Sequence, residues 1–330
     1  GAHRRNGRPL AEIKLTAAAL VLTLAYLAVS LGSGLPQRLS PYAQTVAAEA
    51  SIVNVNPKGC RRIERLPPVP NGNLCTYTSN IDHFGYMLWG DSYARVLSKG
   101  LQQSTALPAI NLYMSACPSL LGVYYSELNN RANCLANQKR ALELVQSEHI
   151  TTIVLMSRWA IVASTEPSPG DGAQPWKLYD AATGAEISFT DALTRTVNQL
   201  RAAGAHVILV GPIPEAPFDV PKTMIRSAHR ELPFPSNSRA VFDRRQAQVL
   251  AAFQQLHGIP GVDIVLPHQS LCDAGTCRMT DGVTPLYADD DHLSLVAGIS
   301  KLQRTELADW GIETLTQLGE ATLPEGKRPQ

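Results

Sequence analysis

Charged residues are scarce in this sequence, and neither sign predominates. Asp, Glu, Lys and Arg together make up 17% of the 330 residues, and the formal net charge is +1. Proteins that bind nucleic acid or acidic polymers carry clustered positive charge, so this composition gives no reason to expect such a partner. The hydrophobic fraction of 45% is enough for one core of roughly two to three hundred residues plus an appendage.

The sequence also lacks any Cys-x-x-Cys pair, a spacing typical of structural zinc sites. Only His268 lies near a pair of cysteines, so zinc is the weaker interpretation, and we expect no metal and no cofactor. The six cysteines fall into three local couples: Cys60 with Cys75, Cys117 with Cys134, and Cys272 with Cys277. An even number of cysteines in an exported domain indicates disulfides. The sequence does not fix their connectivity, and we predict the local pairing.

The N-terminal part contains the longest uncharged stretch. Residues 15–31 carry no charge, and the stretch extended to Leu35 has about 21 residues, close to the roughly 20 that a membrane-spanning helix needs. Arg4, Arg5, Arg8 and Lys14 precede it, which favours a cytoplasmic start and an external remainder. A cleaved signal peptide and a buried core helix are the alternatives. We predict a transmembrane helix and, from the compartment, an oxidising environment for the cysteines.

From about residue 82 the sequence alternates between short apolar runs and amphipathic stretches. The apolar runs predict strands within 83–90, 109–114, 150–156, 206–214 and 262–267, and the amphipathic stretches predict helices at 94–103, 138–148, 189–203, 241–256 and 294–318. This alternation is typical of a parallel sheet covered on both faces. Segments 164–187 and 213–238 are rich in Pro, Gly and Ser and are predicted as long loops. We divide the chain into an N-terminal segment (1–38), a tether (39–58), an extracytoplasmic α/β domain (59–320) and a tail (321–330).

The tripeptide Gly90-Asp91-Ser92 ends the first strand of the α/β region and opens a helix. This position presents a side chain at the carboxyl edge of the sheet, beside helix N–H groups that can stabilise an oxyanion. Ser92 is therefore a candidate nucleophile. Taken alone, the tripeptide fits an ordinary helix N-cap better, because Asp and Ser are favoured there.

Near the other end of the domain, Asp289 and His292 are three residues apart in the sequence Asp-Asp-Asp-His. This spacing lets the Asp289 carboxylate reach the imidazole of its own loop, fix its tautomer and stabilise the imidazolium, while the second ring nitrogen takes the proton of Ser92. Asp290 and Asp291 are expected to lack this reach. A solvated acidic loop and a divalent-cation site are the alternatives.

Together, the Gly-Asp-Ser block and the Asp-x-x-His block resemble the signature of SGNH hydrolases. The segments LWGDSYAR, SACPSL, LMSRW and LYADDDHLS are similar to one branch, the SGNH domain behind a membrane acyltransferase-3 domain in bacterial O-acetyltransferases of cell-surface polysaccharides. The resemblance covers about residues 56–318. It implies a three-layer α/β/α sandwich outside the cytoplasmic membrane, after a last transmembrane helix at residues 10–38, and a fused or adjacent membrane acyltransferase-3 domain.

The sequence departs from the broad family at two oxyanion positions. Strand order places Ala116 where the family has Gly and Trp159 where it has Asn. The resemblance therefore implies that the backbone N–H groups of Ser92 and Ala116 form the oxyanion hole, with Arg158 or Trp159 as a further donor. Trp159 could equally be a packing residue, and Arg158 could bind a carboxylate or a sugar.

Three functions remain open to the sequence. The first is transfer of an acetyl group through Ser92 to a hydroxyl of a glycan such as a lipopolysaccharide O-antigen, and the membrane segment and the resemblance favour it. The second is an exported esterase that removes acyl groups, because both reactions use the same serine chemistry. The third is a weakly active module that positions a glycan, which the missing Asn supports.

Overall fold

The computed structural model of the chain describes residues 8–31, 39–50, 59–79, 83–105, 107–125 and 130–294. The predicted helix at 294–318 lies almost wholly outside these residues, and the predicted tail lies outside them entirely. Contacts divide the chain into two units, Gly1–Thr45 and Val46–Gln330. The described helices are α1 (Arg8–Leu31), α2 (Pro41–Ala50), α3 (Ser92–Ser104), α4 (Arg131–Ser147), α5 (Ala160–Ala163), α6 (Phe189–Ala202), α7 (Val220–His229), α8 (Arg239–Leu256) and α9 (His268–Leu271).

The first unit contains α1, a helix of 24 residues. In the part of the chain that the structure describes, no helix combines the length and the apolar content that a bilayer crossing requires. The transmembrane helix predicted for residues 10–38 is therefore not confirmed. The predicted tether contains a helix, α2, where a weakly patterned segment was expected, and residues 51–58 of that tether lie outside the described residues.

The second unit is built around a seven-stranded sheet with the order β1-β2-β4-β3-β6-β8-β10. The strands of the unit are β1 (Arg61–Arg62), β2 (Asn73–Thr76), β3 (Tyr86–Gly90), β4 (Ala109–Tyr113), β5 (Val123–Tyr125), β6 (Thr152–Met156), β7 (Leu178–Asp180), β8 (His206–Val210), β9 (Asn237–Ser238), β10 (Val262–Val265), β11 (Thr276–Cys277), β12 (Thr280–Asp281) and β13 (Thr284–Pro285). The five strands from β4 to β10 are parallel. The predicted parallel sheet is thus confirmed in its central part.

Helices cover the sheet because its central strands are apolar on both sides. Every residue of β3, β4 and β6 is buried, the pattern of a doubly covered parallel sheet. Alternate residues such as Met87 and Trp89 join one core cluster with the buried residues of α4, α6 and α8. Helix α3 contacts β3 and β4, and its buried residues Ala94 and Leu97 do not belong to that cluster. Helix α3 therefore packs on the other face.

The order of the parallel strands creates a switch point between β3 and β6. After β3 the chain crosses to β4 on one side, whereas every later parallel strand is added on the other side. The loops after β3 and β6 therefore leave the sheet in opposite directions and open a crevice at its carboxyl edge, which is where open α/β sheets bind ligands. Ser92 follows β3, and Arg158 follows β6.

Three features of the second unit differ from the predictions. Strands β1 and β2 extend the sheet in the antiparallel direction beside β4, although only parallel strands were expected. Helix α7 and strand β9 lie inside segment 213–238, and strand β7 lies inside segment 164–187, although both segments were predicted as loops. Helix α4 begins at Arg131, seven positions before its predicted start at 138.

The cysteines form three disulfides in the local pairing that was expected: Cys60–Cys75, Cys117–Cys134 and Cys272–Cys277. The first joins the start of β1 to β2. The second joins the loop after β4 to α4, and the third closes a short loop after α9. Each therefore fixes a connection outside the five parallel strands.

Candidate active site

The junction between β3 and α3 is shaped by Gly90, because no larger residue fits there. A Cβ atom at position 90 would lie 1.8 Å from the Met156 carbonyl oxygen and 2.8 Å from the Ala94 Cβ. Asp91 is the N-cap of α3, and its carboxylate accepts the Tyr93 backbone N–H at 2.8 Å. Ser92, the first residue of α3, is half-buried. The N-cap role expected for this tripeptide thus belongs to Asp91, and it leaves the hydroxyl of Ser92 available.

The structure brings Ser92, Asp289 and His292 together. The His292 Nε2 atom lies 2.8 Å from the Ser92 Oγ atom, and the Nδ1 atom lies 2.8 Å from Asp289 Oδ2. The other Asp289 oxygen accepts the backbone N–H groups of Asp291 at 2.9 Å and His292 at 2.7 Å. Asp289 therefore holds both the backbone and the imidazole of its own turn, as the three-residue spacing predicts.

Asp291 also reaches the imidazole, which corrects the expectation that only Asp289 could. Its Oδ1 atom lies 2.6 Å from His292 Nδ1, and its carboxyl group is buried, with 5% of the residue exposed. The turn that Asp289 caps folds the chain tightly enough to point the side chain at position 291 back toward the ring. Spacing alone missed this contact because Asp291 and His292 are adjacent, and adjacent side chains usually diverge.

The loop that carries these residues is anchored from outside by backbone bonds. The Ala216 N–H donates to the Asp290 carbonyl at 2.7 Å, and the Val220 N–H donates to the Asp289 carbonyl at 3.1 Å. Gly170 approaches Asp290 so closely that a Cβ there would lie 2.2 Å from its carboxylate. Both segments that were predicted as long loops, 164–187 and 213–238, therefore border the candidate site.

The charges of the site follow from burial and from these bonds. Burial opposes ionisation of Asp289, but the hydrogen bonds from His292 outweigh it and lower the Asp289 pKa to about 2. Burial also disfavours the charged form of His292, yet the bonds to Asp289 and Asp291 prevail and hold its pKa above the usual range. Burial raises the pKa of Asp91 to about 6, although the N–H groups of Arg158 and Tyr93 oppose the rise.

Arg158 lies in an ionic network of the protein's own side chains. Its Nε atom donates to Glu215 at 2.7 Å, and its Nη1 atom lies 2.9 Å from Asp291 and 3.1 Å from Asp171. Glu215 in turn accepts from Arg245 Nε at 2.5 Å. Burial disfavours the charge of Arg158, but the surrounding Tyr93, Glu215 and Asp291 raise its pKa. Arg158 therefore pairs with carboxylates of the protein itself, and its roles as an oxyanion donor or as a ligand for a sugar or a carboxylate of the substrate stay predictions.

Asp171, Glu215 and Arg245 of this network escaped the sequence analysis, although Arg245 left a signal. The buried stripe of α8 includes Phe242, Arg245, Val249 and Phe253, so an arginine occupies a position at which the helical periodicity predicts an apolar residue. Such a charge needs a buried partner. Glu215 is that partner, but it lies in an irregular segment after β8, where no periodicity marks a buried face.

Trp159 is a packing residue, which corrects its assignment as a candidate oxyanion donor. Its indole N–H donates to the Val210 carbonyl at 2.8 Å. The ring is buried against Phe189 of α6 and Phe253 of α8, at centroid distances of 6.0 and 5.8 Å. The donor is already used in the core, and the side chain points to the face of the sheet that α6 and α8 cover.

Ala116 remains a candidate oxyanion donor because of its backbone. Its φ angle is +59°, in the left-handed region that favours glycine, which agrees with its placement at the family's Gly position. The residue is exposed. The Tyr125 hydroxyl donates to the Ala116 carbonyl, and the Cys117–Cys134 disulfide follows directly. The turn is thus held on both sides.

A metal site was the alternative interpretation of the acidic loop. Among the residues that the structure describes, Asp289, Asp291 and His292 have ligand atoms within 4.8 Å of one another. However, His292 Nδ1 is hydrogen-bonded to Asp289, and a ring nitrogen that donates a hydrogen cannot bind a cation at the same time. Arg158 also already faces Asp291. We infer no metal site from this group, and the absence of a metal stays a prediction.

Comparison with known proteins identifies the family. A sequence model described as the SGNH domain fused to AT3 domains matches residues 59–300. The chain belongs to this family. A search of curated protein sequences found no match to the chain. Among solved structures, it is similar to the periplasmic domain of a lipopolysaccharide acetyltransferase from Salmonella serovar Paratyphi A, with a TM-score of 0.51 and 14% identity, over 83% of this chain and 98% of that one. At this identity the similarity shows the fold alone.

Proposed function

We propose that Ser92, His292 and Asp289 act together as a serine-dependent acyl-transfer site. The observation that carries the proposal is the position of the imidazole, 2.8 Å from the Ser92 hydroxyl on one side and 2.8 Å from Asp289 on the other. In this arrangement His292 takes the hydroxyl proton as Ser92 Oγ attacks an ester carbonyl, and Asp289 stabilises the imidazolium that forms.

The first half of the reaction produces an acyl ester on Ser92. The backbone N–H groups of Ser92, at the start of α3, and of Ala116 are the donors that we assign to the tetrahedral oxyanion. When this intermediate collapses, the donor's alcohol leaves with the proton that His292 returns to it. A second hydroxyl, deprotonated by His292, then attacks the acyl ester and restores the Ser92 hydroxyl.

We infer that the acyl group is acetyl and that the second hydroxyl belongs to a cell-surface polysaccharide. Two observations support this inference. The structurally similar protein is named as a lipopolysaccharide acetyltransferase, and the family's SGNH domain is fused to AT3 domains, which makes a membrane acyltransferase the expected partner. The three disulfides and the periplasmic source of the similar domain support a location outside the cytoplasmic membrane, since disulfides persist in oxidising compartments.

Hydrolysis of acyl esters is the second candidate function. Ser92 and His292 are both partly exposed, so water can reach an acyl group on Ser92 as well as a sugar hydroxyl can. The third interpretation, a vestigial glycan-positioning module, is less well supported, because every hydrogen bond that the triad needs is formed.

The proposal is tested by trapping the acyl ester. The full chain is incubated with an acetyl ester, and intact-mass spectrometry and peptide mapping are used to find an acetyl group on Ser92. We expect the Ser92→Ala variant to lose acetylation and turnover by several orders of magnitude, with an unchanged circular dichroism spectrum. The control is Ser236→Ala, at an exposed serine before β9. Turnover by Ser92→Ala at the rate of the unaltered chain would disprove the proposal.

Transfer and hydrolysis are then separated by the products. The acylated chain is offered a polysaccharide acceptor in water, and the fraction of acetyl groups found on the glycan is compared with free acetate. Acetylated glycan as the main product supports the transferase, and free acetate alone supports the esterase.

A further inference from the structure

The residues of the candidate site form a closed ring of hydrogen bonds, ion pairs and one stretch of backbone. The Asp91 carboxylate accepts the Arg158 backbone N–H at 2.9 Å. The Arg158 guanidinium lies 2.9 Å from Asp291 Oδ2, and the other Asp291 oxygen lies 2.6 Å from His292 Nδ1. His292 Nε2 meets the Ser92 hydroxyl, and Ser92 is the covalent neighbour of Asp91. Ser92 and His292 are thus connected twice: directly, and through Arg158 at the end of β6.

We propose that Asp291 is a positioning residue for His292 and that Arg158 holds it in that role. The inference rests on the proposed function, in which His292 is the base. It differs from the family-based assignment, which gives the imidazole a single carboxylate partner, Asp289.

The surroundings of Arg158 suit it to a fixed role. Its backbone is held by Asp91, its Nε atom by Glu215, and its Nη1 atom contacts both Asp291 and Asp171. Glu215 is 6% exposed and Asp291 is 5% exposed. A buried carboxylate needs a partner of opposite charge, and Arg158 is that partner for Asp291 beside the imidazole.

The two carboxylates at His292 differ in their charge balance. Asp289 caps the turn through backbone N–H groups, and within the described part of the chain no arginine forms an ion pair with it. Asp291 shares its charge with Arg158. If both carboxylates acted on the ring at full strength, the imidazolium would be too stable to give up its proton readily, and a base must exchange its proton in both directions. Because Arg158 offsets part of the Asp291 charge, Asp291 can fix the orientation of the imidazole with a smaller effect on the basicity of His292.

Several other titratable or charged groups lie near the loop of His292 and must be considered in a pH experiment. The titratable or charged groups around His292 are Asp289, Asp290 and Asp291 on its own loop, Asp91 and Tyr93 at the start of α3, Arg158 after β6, and Glu215 and Lys222 between β8 and the end of α7. Of these, Asp289 and Asp291 have oxygens at hydrogen-bonding distance from the ring. The change at Asp291 should therefore be separable from its neighbours.

The test measures the pKa of His292 directly, by NMR titration of the imidazole in the full chain with Ser92→Ala. We expect Asp291→Asn to lower this pKa by about one unit or more, because an opposite charge close to the ring is lost. Arg158→Met removes the charge that offsets Asp291, so we expect it to raise the pKa. Asp290→Asn is the matched control: it removes a negative charge from the same loop, but Asp290 does not bond the imidazole, and we expect a smaller shift.

The same variants with Ser92 intact report the consequence for turnover. Asp291→Asn should lower kcat by up to about a hundredfold with little change in KM, and should move the acidic limb of the kcat/KM profile to lower pH. Arg158→Lys keeps the charge but cannot bond Glu215 and Asp291 together, so kcat should fall without a shift of that limb. If Arg158→Met does not fold, the kcat and pH profile of Arg158→Lys test the role of Arg158.

Two results would overturn the role of Asp291. One is an imidazole pKa that Asp291→Asn does not move, or moves no further than Asp290→Asn does. The other is inactivation by Asp291→Asn while Asp289→Asn stays active, which would make Asp291 the principal partner. By contrast, a lack of acyl turnover in the unaltered chain would refute the proposed function, so the two failures are distinguishable.

Discussion

Gly90 and the carbonyl of Met156 are so close that a Cβ atom on residue 90 would lie 1.8 Å from the oxygen. Because that oxygen belongs to the neighbouring strand β6, neither partner can move without disturbing the sheet. We predict that Gly90→Ala lowers the free energy of unfolding by roughly 3 kcal/mol or more. Urea denaturation of the purified chain measures the change.

Gly275→Ala is the control for this substitution. Gly275 is exposed, and the nearest atom to a Cβ there is an Asp273 oxygen at 3.8 Å, an ordinary contact distance. The control should change stability by less than about 1 kcal/mol. Equal stabilities for the two variants would show that the β3–α3 junction is more adaptable than its geometry indicates.

The left-handed backbone at Ala116 leads to the second prediction. Alanine with φ of +59° is less favourable than glycine in this conformation, while glycine loses more entropy on folding. We predict that Ala116→Gly leaves stability equal or higher, by up to about 1 kcal/mol, and retains ester turnover. Ala116→Val should destabilise the chain, because a β-branched residue fits this region poorly. Loss of turnover in Ala116→Gly at unchanged stability would contradict the backbone role assigned here.

The third prediction separates packing from catalysis at Trp159. Trp159→Phe leaves the Val210 carbonyl without its donor and opens a small cavity, so the free energy of unfolding should fall by about 1 to 3 kcal/mol. The kcat for an acetyl ester should stay within about threefold of the unaltered chain, well short of the hundredfold that the loss of an oxyanion donor costs. A hundredfold loss of kcat without loss of stability would restore Trp159 as an oxyanion donor.

The buried pair of Arg245 and Glu215 provides the fourth prediction. Arg245→Met leaves Glu215 with one cation in place of two and should cost about 3 to 5 kcal/mol of unfolding free energy, as the breaking of a buried ion pair does. Arg244, the preceding residue of α8, is exposed. Arg244→Met is therefore a control with the same chemical change, and should alter stability by about 0.5 kcal/mol or less. If Arg245→Met lost as little unfolding free energy as Arg244→Met, the ion pair of Arg245 with Glu215 would add nothing to stability.

The disulfides should differ in their contribution according to the loops that they close. Cys60–Cys75 and Cys117–Cys134 span 15 and 17 residues, and Cys272–Cys277 spans 5. In the chain-entropy model, replacing either of the first two pairs by serines should cost about 3 kcal/mol, and the third about 2 kcal/mol. Thermal denaturation of the three double variants tests the ranking, and a larger loss at the short loop would refute it.

Much of the second unit could be predicted because its strands and helices follow simple periodicities. The parallel strands β3, β4, β6, β8 and β10 all lie within predicted apolar runs. The antiparallel strand β2 was missed because its four residues, Asn-Leu-Cys-Thr, begin and end with a polar residue and form no apolar run. Helix α7 begins after Asp219 with Pro221 in its first turn, and the proline content of its segment indicated a loop although proline is also favoured at a helix start.

The candidate site was predictable to the extent that it depends on local sequence. Ser92 was marked by its place between a strand and a helix, and Asp289 by its spacing from His292. The contact between Arg158 and Asp291 depends on how segments distant in sequence meet at the carboxyl edge, and no single segment contains that information. Trp159 was misassigned because its position followed from strand order, whereas the direction of its side chain is set by packing against α6 and α8.

The nucleophile and its base are separated by 200 residues of sequence, yet their side chains touch. During synthesis Ser92 leaves the ribosome long before His292, so the site cannot form until nearly the whole domain has been made. Contacts of such sequence separation are closed late and slowly in folding. The α/β domain therefore remains without its reactive centre while it is being made, and acyl turnover becomes a sensitive measure of whether the last part of the chain has folded onto the first.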